Sequence, residues 1–139
     1  MASSRNLHDI AEKMRDIDIA FLTTRTDGGK LAARPMSNNA DVEYDGDSFY
    51  FTEDSTRMVG DIGRDPTVGL QFSGKDGFFV AVEGRADLIR DKQAFAEHWS
   101  PDLDAWFKEG VDTPGLVMIK VGAQRIKYWD GEENGEVRL

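Results

Sequence analysis

Thr67-Val68-Gly69-Leu70-Gln71-Phe72-Ser73, Gly74-Lys75-Asp76-Gly77, Phe78-Phe79-Val80-Ala81-Val82-Glu83-Gly84-Arg85-Ala86-Asp87-Leu88-Ile89 is the stretch whose reading decides the fold class. Two apolar runs rich in β-branched and aromatic residues flank a turn with glycine at both ends, which is the pattern of an antiparallel hairpin. Gly84 inside the second run predicts a bulge or a close backbone approach, because a strand glycine gives up side-chain packing.

Upstream of this hairpin the same pattern recurs. Ile19-Ala20-Phe21-Leu22-Thr23-Thr24 runs to Asp27-Gly28-Gly29, a hairpin signal, and further strands are predicted over residues 30–39, 41–44 and, after Asp45-Gly46-Asp47, 48–52. Helical spacing interrupts it. Leu7, Ile10, Ala11 and Met14 share one face, with Ser3 or Ser4 available as cap. Met58, Val59 and Ile62 follow the capping cluster Asp54-Ser55-Thr56 and stop at Asp65-Pro66. Asp91 opens a helix with Ala94, Phe95, His98 and Trp99, and Ser100-Pro101-Asp102 restarts one whose apolar face is Leu103, Trp106 and Phe107. Residues 116–121 and 125–129 read as a long last strand broken near Gly122, followed by a polar tail from Asp130. No repeat, linker or low-complexity segment divides the chain. The expectation is one α+β domain over residues 1–139, about six antiparallel strands with short flanking helices in a closed or partly closed barrel.

Composition narrows the function. Seventeen Lys and Arg against 26 Asp and Glu leave a formal charge of −9, which repels phosphate backbones and anionic lipid surfaces; neither nucleic acid nor membrane is an expected partner. A small phosphorylated ligand is opposed too unless cations are placed locally. Without cysteine there is no disulfide, thiol nucleophile or Cys-ligated metal, and two histidines give little scope for an imidazole site, so no metal centre is expected. No leader-like or membrane-length apolar run is visible, and a cytoplasmic location is the default expectation.

Walker, dinucleotide-fingerprint, nucleophile-elbow and zincin motifs are all absent. Carboxylate pairs such as Asp45/Asp47 and Glu132/Glu133 read as solvated surface charge. Three segments carry more. In Thr52-Glu53-Asp54-Ser55-Thr56-Arg57 a strand runs into a helix, whose unpaired N–H groups, with the Thr52, Ser55 and Thr56 hydroxyls and the Arg57 guanidinium, would suit a phosphate. Plain N-capping by Asp54 or Ser55 suits the same residues. In Ala33-Arg34-Pro35-Met36-Ser37-Asn38-Asn39 the proline puts the strand at an edge or break, and Arg25, Lys30 and Arg34 make the segment locally cationic. In Tyr128-Trp129-Asp130 the tryptophan sits at a strand end, where it suits a rim; Trp106 and Phe107 are expected in core or interface packing.

Taken in order, these segments resemble the pyridoxamine 5′-phosphate oxidase-like flavin-binding split-barrel family, and within it the general stress protein 26 branch. The residues that carry the likeness are Phe21-Leu22-Thr23-Thr24, Ala33-Arg34-Pro35-Met36, Phe49-Tyr50-Phe51-Thr52 with Ser55 and Arg57, and Asp65-Pro66 before Val68. It continues through Val82-Glu83-Gly84-Arg85-Ala86, Trp106-Phe107, Asp112-Thr113-Pro114 and Tyr128-Trp129-Asp130-Gly131. The resemblance implies a mainly β fold, a six-stranded antiparallel split β-barrel of Greek-key type with short flanking helices. It also implies a homodimer with FMN at the dimer interface, FAD remaining open as an alternative. Arg34 and Arg57 would hold the FMN phosphate with help from Thr52, Ser55 and Thr56; backbone from Pro35 through Met36 and Ser37 to Asn38 would face the isoalloxazine, and Trp129 would lie near the ring. Arg57 stands where this branch commonly has lysine, which keeps charge and changes geometry. No Arg-x-His element is present and the tail after Trp129 is acidic, so vitamin B6 oxidation is not expected. The resemblance leaves open whether the chain is an FMN-dependent oxidoreductase, with a nicotinamide donor as one candidate reductant, or a stress protein that stores or senses flavin without catalysis.

Overall fold

A computed structural model of the chain describes residues 6–37 and 44–139. Helix α1 (Leu7–Met14) buries Ile10, Ala11 and Met14, the face its spacing predicts. Its cap is Asn6: the side-chain oxygen accepts from the Asp9 amide at 3.0 Å and the Asp9 carboxylate accepts from the Asn6 amide at 3.3 Å, a reciprocal capping box. The caps expected at Ser3 or Ser4 lie outside the described residues.

Seven strands follow: β1 (Ile19–Arg25), β2 (Leu31–Ser37), β3 (Asp47–Glu53), β4 (Thr67–Ser73), β5 (Phe78–Ile89), β6 (Leu116–Asp130) and β7 (Glu133–Arg138). Helix α2 (Arg57–Arg64) lies between β3 and β4, and α3 (Lys92–His98) with a 3-10 turn over Pro101–Ala105 lies between β5 and β6. All pairings are antiparallel, in the order β2-β1-β4-β5-β6-β3 with β7 beside β6. The sheet curls without closing, as a split barrel. β4 and β5 have the bounds the opening stretch predicts, and β2 is an edge strand of the described sheet, as Pro35 requires. Of the strand expected over residues 41–44, the first three residues lie outside the described ones and Tyr44 is not in a strand.

Gly84 makes the close approach its position predicts. The β5–β6 register shifts between Glu83 and Gly84, and a Cβ on Gly84 would sit 2.5 Å from the Gly122 carbonyl oxygen. β6 is continuous through Gly122, where its partner changes from β3 to β7. The polar tail expected from Asp130 is corrected by this arrangement, since Asp130 ends β6 and residues beyond it form β7. Glu-Asn-Gly-Glu-Val-Arg has little intrinsic strand preference; the edge of β6 beyond Gly122 offers free backbone N–H and C=O groups, and the Gly131 turn (φ 62°) folds the chain back onto them.

Inside the barrel, Leu22, Leu70, Phe72, Val80, Val82, Ile119, Ile126 and Tyr128 form the core together with Ile10 of α1 and Met58 and Ile62 of α2. Each such aliphatic side chain contributes about 1.5–3 kcal/mol by leaving water. A second cluster of Phe51, Phe95, Leu116 and Met118 packs with Trp99, Leu103 and Phe107 beneath α3. Of the two alternatives for Trp106 and Phe107, core or interface packing, Phe107 takes the core: it meets Trp99 edge to face, and Trp99 meets Phe51 likewise; Trp106 is 75% exposed and is not part of the core.

Candidate functional site

The N-terminus of α2 is left without a side-chain cap. Thr56 is its N-cap residue in extended conformation, yet its hydroxyl makes no cap hydrogen bond. That hydroxyl is buried and has no partner among the described residues. Asp54, one of the two caps proposed from sequence, instead accepts from Arg90 at 2.6 Å, and Ser55 is exposed. Free N–H groups, the positive end of the helix dipole and an unspent hydroxyl thus share one place, an arrangement suited to an anion.

Arg34 approaches this end from β2. It shares the inner face with Leu22, its cross-strand partner, and reaches diagonally to Thr24. Its Nη1 donates to Thr24 Oγ1 at 2.8 Å, Thr24 Oγ1 donates to Asp61 Oδ2 at 3.0 Å, and Asp61 Oδ1 accepts from Arg64 Nη2 at 2.7 Å. Arg34 Nη2 stands 3.9 Å from the same Asp61 carboxylate. Asp61 is fully buried, and Arg57, Asp61 and Arg64 recur at helical spacing along α2. Burial pulls the Arg34 guanidinium below the usual range, Asp61 opposes that, and the like charge of Arg57 adds to it. Asp61 pairs with Arg34 and Arg64, and the charge of Arg57 acts on Arg34 without a carboxylate partner of its own among the described residues, so this end of α2 keeps an excess of positive charge.

Beside it opens a cavity of about 490 Å³. One wall is β2 and β3, with Pro35, Met36, Ser37, Phe49, Phe51, Thr52 and Thr56; the other comes from α3 and the turn after it, with His98, Asp102, Trp106 and Phe107. Phe49 stacks on His98 at 3.7 Å between centroids and 15° between planes, which fixes the imidazole against the wall.

Of the residues singled out from sequence, Pro35, Met36, Ser37, Thr52 and Thr56 line this cavity; Arg34 and Arg57 do not line it and are the chain neighbours of the lining residues Pro35 and Thr56. Ser55 is near in sequence but does not line it, and Asn38 lies outside the described residues. Arg25 is paired with Asp65 at 3.7 Å. Trp129 is not at this cavity: it faces Phe79 across β5–β6 and is half exposed under the Lys127 ammonium at 5.7 Å. Sequence reasoning missed His98 as a wall residue and Asp61 as a buried brace. The spacing of Arg57, Asp61 and Arg64 beside the apolar Met58 and Ile62 was the signal that could have found the second.

Comparison with known proteins places the fold. The pyridoxamine 5′-phosphate oxidase-like family model matches residues 5–138. Protein bli-3 of Neurospora crassa is 26% identical over 128 residues, and the match covers 88% of this chain and 61% of that protein. Among solved structures, a Clostridium acetobutylicum protein related to general stress protein 26 of B. subtilis superposes with a TM-score of 0.82 at 18% identity, over 96% of this chain and 94% of the other. A heme binding protein from Mycobacterium smegmatis does so with 0.76 at 15% identity, over 99% and 60%. No described helix is long and apolar enough to cross a membrane. With its split barrel and a family-model match over residues 5–138, the chain belongs to the pyridoxamine 5′-phosphate oxidase-like family.

Proposed function

We propose that the chain binds FMN as a homodimer and serves as a flavin-dependent oxidoreductase of the stress-protein type. The observation that carries this reading is the uncapped end of α2, where the orphaned Thr56 hydroxyl is followed by Arg57 as the first helical residue, with Arg34, braced by Thr24 and Asp61, within reach of the Arg57 charge. A flavin mononucleotide ends in a phosphate that suits these donors, and the adjoining aromatic and Pro35–Ser37 wall suits a flat ring. FMN, when bound, supplies the electron-transfer chemistry. The protein holds the phosphate, orients the ring and excludes water; the chain needs no cysteine for this.

A second copy completes the cavity in this reading. The outer face of the sheet carries exposed Ile19, Phe21, Phe79 and Trp129, which alternate with buried neighbours along their strands, and Pro35 pairs with Phe21 on that side. Such a stripe is more than a lone soluble domain ordinarily leaves open. Ile19 and Pro35 belong both to this face and to the cavity lining, so a copy seated there would also close the cavity.

The test is the absorption spectrum of the purified protein and its variant. Wild type is expected to carry a flavin spectrum, with FMN released on denaturation, and Arg34→Ala/Arg57→Ala to lose it. A colourless protein without FMN affinity, a Soret band in place of flavin, or unchanged FMN affinity in the double variant would overturn the reading. Anaerobic mixing with a nicotinamide donor separates a catalyst, whose flavin bleaches, from a protein that only stores or senses the cofactor.

A further inference from the structure

We infer that the α3 side of the cavity is a site for a second, flat aromatic ligand that is cationic or neutral, and that it selects against anions. This rests on the reading that the phosphate of a flavin is held at the α2 end, and it assigns the opposite wall. The two ends of the cavity differ in charge. Arg34 and Arg57 stand beside the β2–α2 end, whereas the charged side chains lining the cavity itself are Glu53 and Asp102, and no lysine or arginine is among the described lining residues. Neither carboxylate has an ion pair or hydrogen bond among the described residues, so both charges are free to act on a ligand.

The aromatic residues of that wall are placed for a flat partner. Trp106 lines the cavity while 75% exposed, an unfavourable position for the largest apolar side chain unless something covers it. A ring laid on it gains apolar contact, and a cationic ring gains the attraction of the indole face as well. His98, held by its stack on Phe49, makes no hydrogen bond among the described residues, which leaves its ring nitrogens for the ligand's polar edge. A phosphorylated or carboxylated ring meets two carboxylates instead; both are exposed, so their repulsion of an anion acts at short range and is strongest at low salt.

The test uses 1-methylquinolinium, naphthalene-2-sulfonate and neutral quinoline as probes, titrated calorimetrically at low salt into the full chain, both FMN-loaded and flavin-free. The expected result is that the cation binds about tenfold more tightly than the anion, with the neutral ring between them. Glu53→Gln/Asp102→Asn should bring the two within about twofold, and Trp106→Ala should weaken all three. Asp27→Asn/Asp87→Asn removes the same net charge elsewhere and should leave the ratio unchanged. Equal affinity for cation and anion in wild type, or an equal narrowing by the remote pair, would overturn the inference. Because all these side chains except Glu53 and Asp102 are untouched by the key variant, FMN affinity in it is expected to stay within about twofold of wild type; Asp102→Asn alone, narrowing the ratio partway, serves if the pair does not fold. Failure to bind FMN with probe selectivity intact would refute the cofactor reading and leave this one standing.

Discussion

Thr24→Val isolates the brace beneath Arg34. Valine has nearly the shape of threonine, so it opens no cavity in the core beside Leu22, and what disappears is one hydroxyl with two hydrogen bonds, 2.8 Å from Arg34 and 3.0 Å to Asp61. Bonds to charged groups contribute about 1.5–3 kcal/mol each. The Asp61 carboxylate, fully buried, has no water to replace the lost donor, whereas Arg34, with 23% of its side chain exposed, regains some. Counting the first bond fully and the second at half gives about 3 kcal/mol of lost stability, or roughly 10 °C in melting temperature for a chain of this size. FMN affinity should fall separately by about fivefold, because a freed Arg34 must be ordered again when the phosphate binds. Thr24→Ser keeps the hydroxyl and should stay close to wild type in both. Thermal unfolding followed by circular dichroism, with flavin-fluorescence titration, measures the two effects. A Thr24→Val protein that melts within about 2 °C of wild type, or a Thr24→Ser protein that loses as much affinity as the valine variant, would refute the relay.

Three other predictions test separate parts of the structure. Gly84→Ala puts a methyl 2.5 Å from a backbone oxygen that cannot rotate away, and chemical denaturation should find it destabilised by about 2–3 kcal/mol. Burial raises the Tyr50 hydroxyl from 10 to about 12, with nearby Ser48 acting weakly in the other direction; the folded state therefore holds that proton longer, stability is full below pH 10 and falls as pH rises toward 12. Tyr50→Phe should flatten this alkaline loss in unfolding midpoints measured from pH 8 to 11, and adding Tyr44→Phe, whose hydroxyl burial also shifts upward, should flatten it further; an unchanged slope would show that other groups control it. Phe79→Glu sets a charge in the outer apolar stripe without touching the core, and analytical ultracentrifugation is expected to report a dimer for wild type, as the proposed function requires, and a monomer for the variant.

The sheet was legible where local pattern and tertiary demand coincide. Residues 67–73 and 78–89 alternate inward and outward as they are written, and Gly84 could be read because a missing side chain in such a run has few other uses. β7 was not legible: a polar hexapeptide becomes a strand only because β6 has an open edge, a fact that belongs to the partner and not to the segment. The site was legible in its backbone-defined part, Pro35 to Ser37 and the strand-to-helix passage at Thr52 to Arg57. Its side-chain wiring was not. Asp61 is one acid among 26 in the sequence, and only the packing of α2 against β1 removes it from water. His98 lay on a helix face that reads as core, and its role on the cavity wall depends on Phe49, almost fifty residues earlier in the chain.

β3 provides a wall of the cavity, and within the described sheet its only partner is the first half of β6, Glu53 opposite Leu116 and Asp47 opposite Gly122. Those contacts are the most distant in sequence of any strand pair, and closing so long a loop is entropically slow. During synthesis β3 must therefore wait, unpaired, until the last part of the chain emerges. The β3 wall of the cavity is therefore assembled late, only after Arg34 and Arg57 have long been in place on the growing chain.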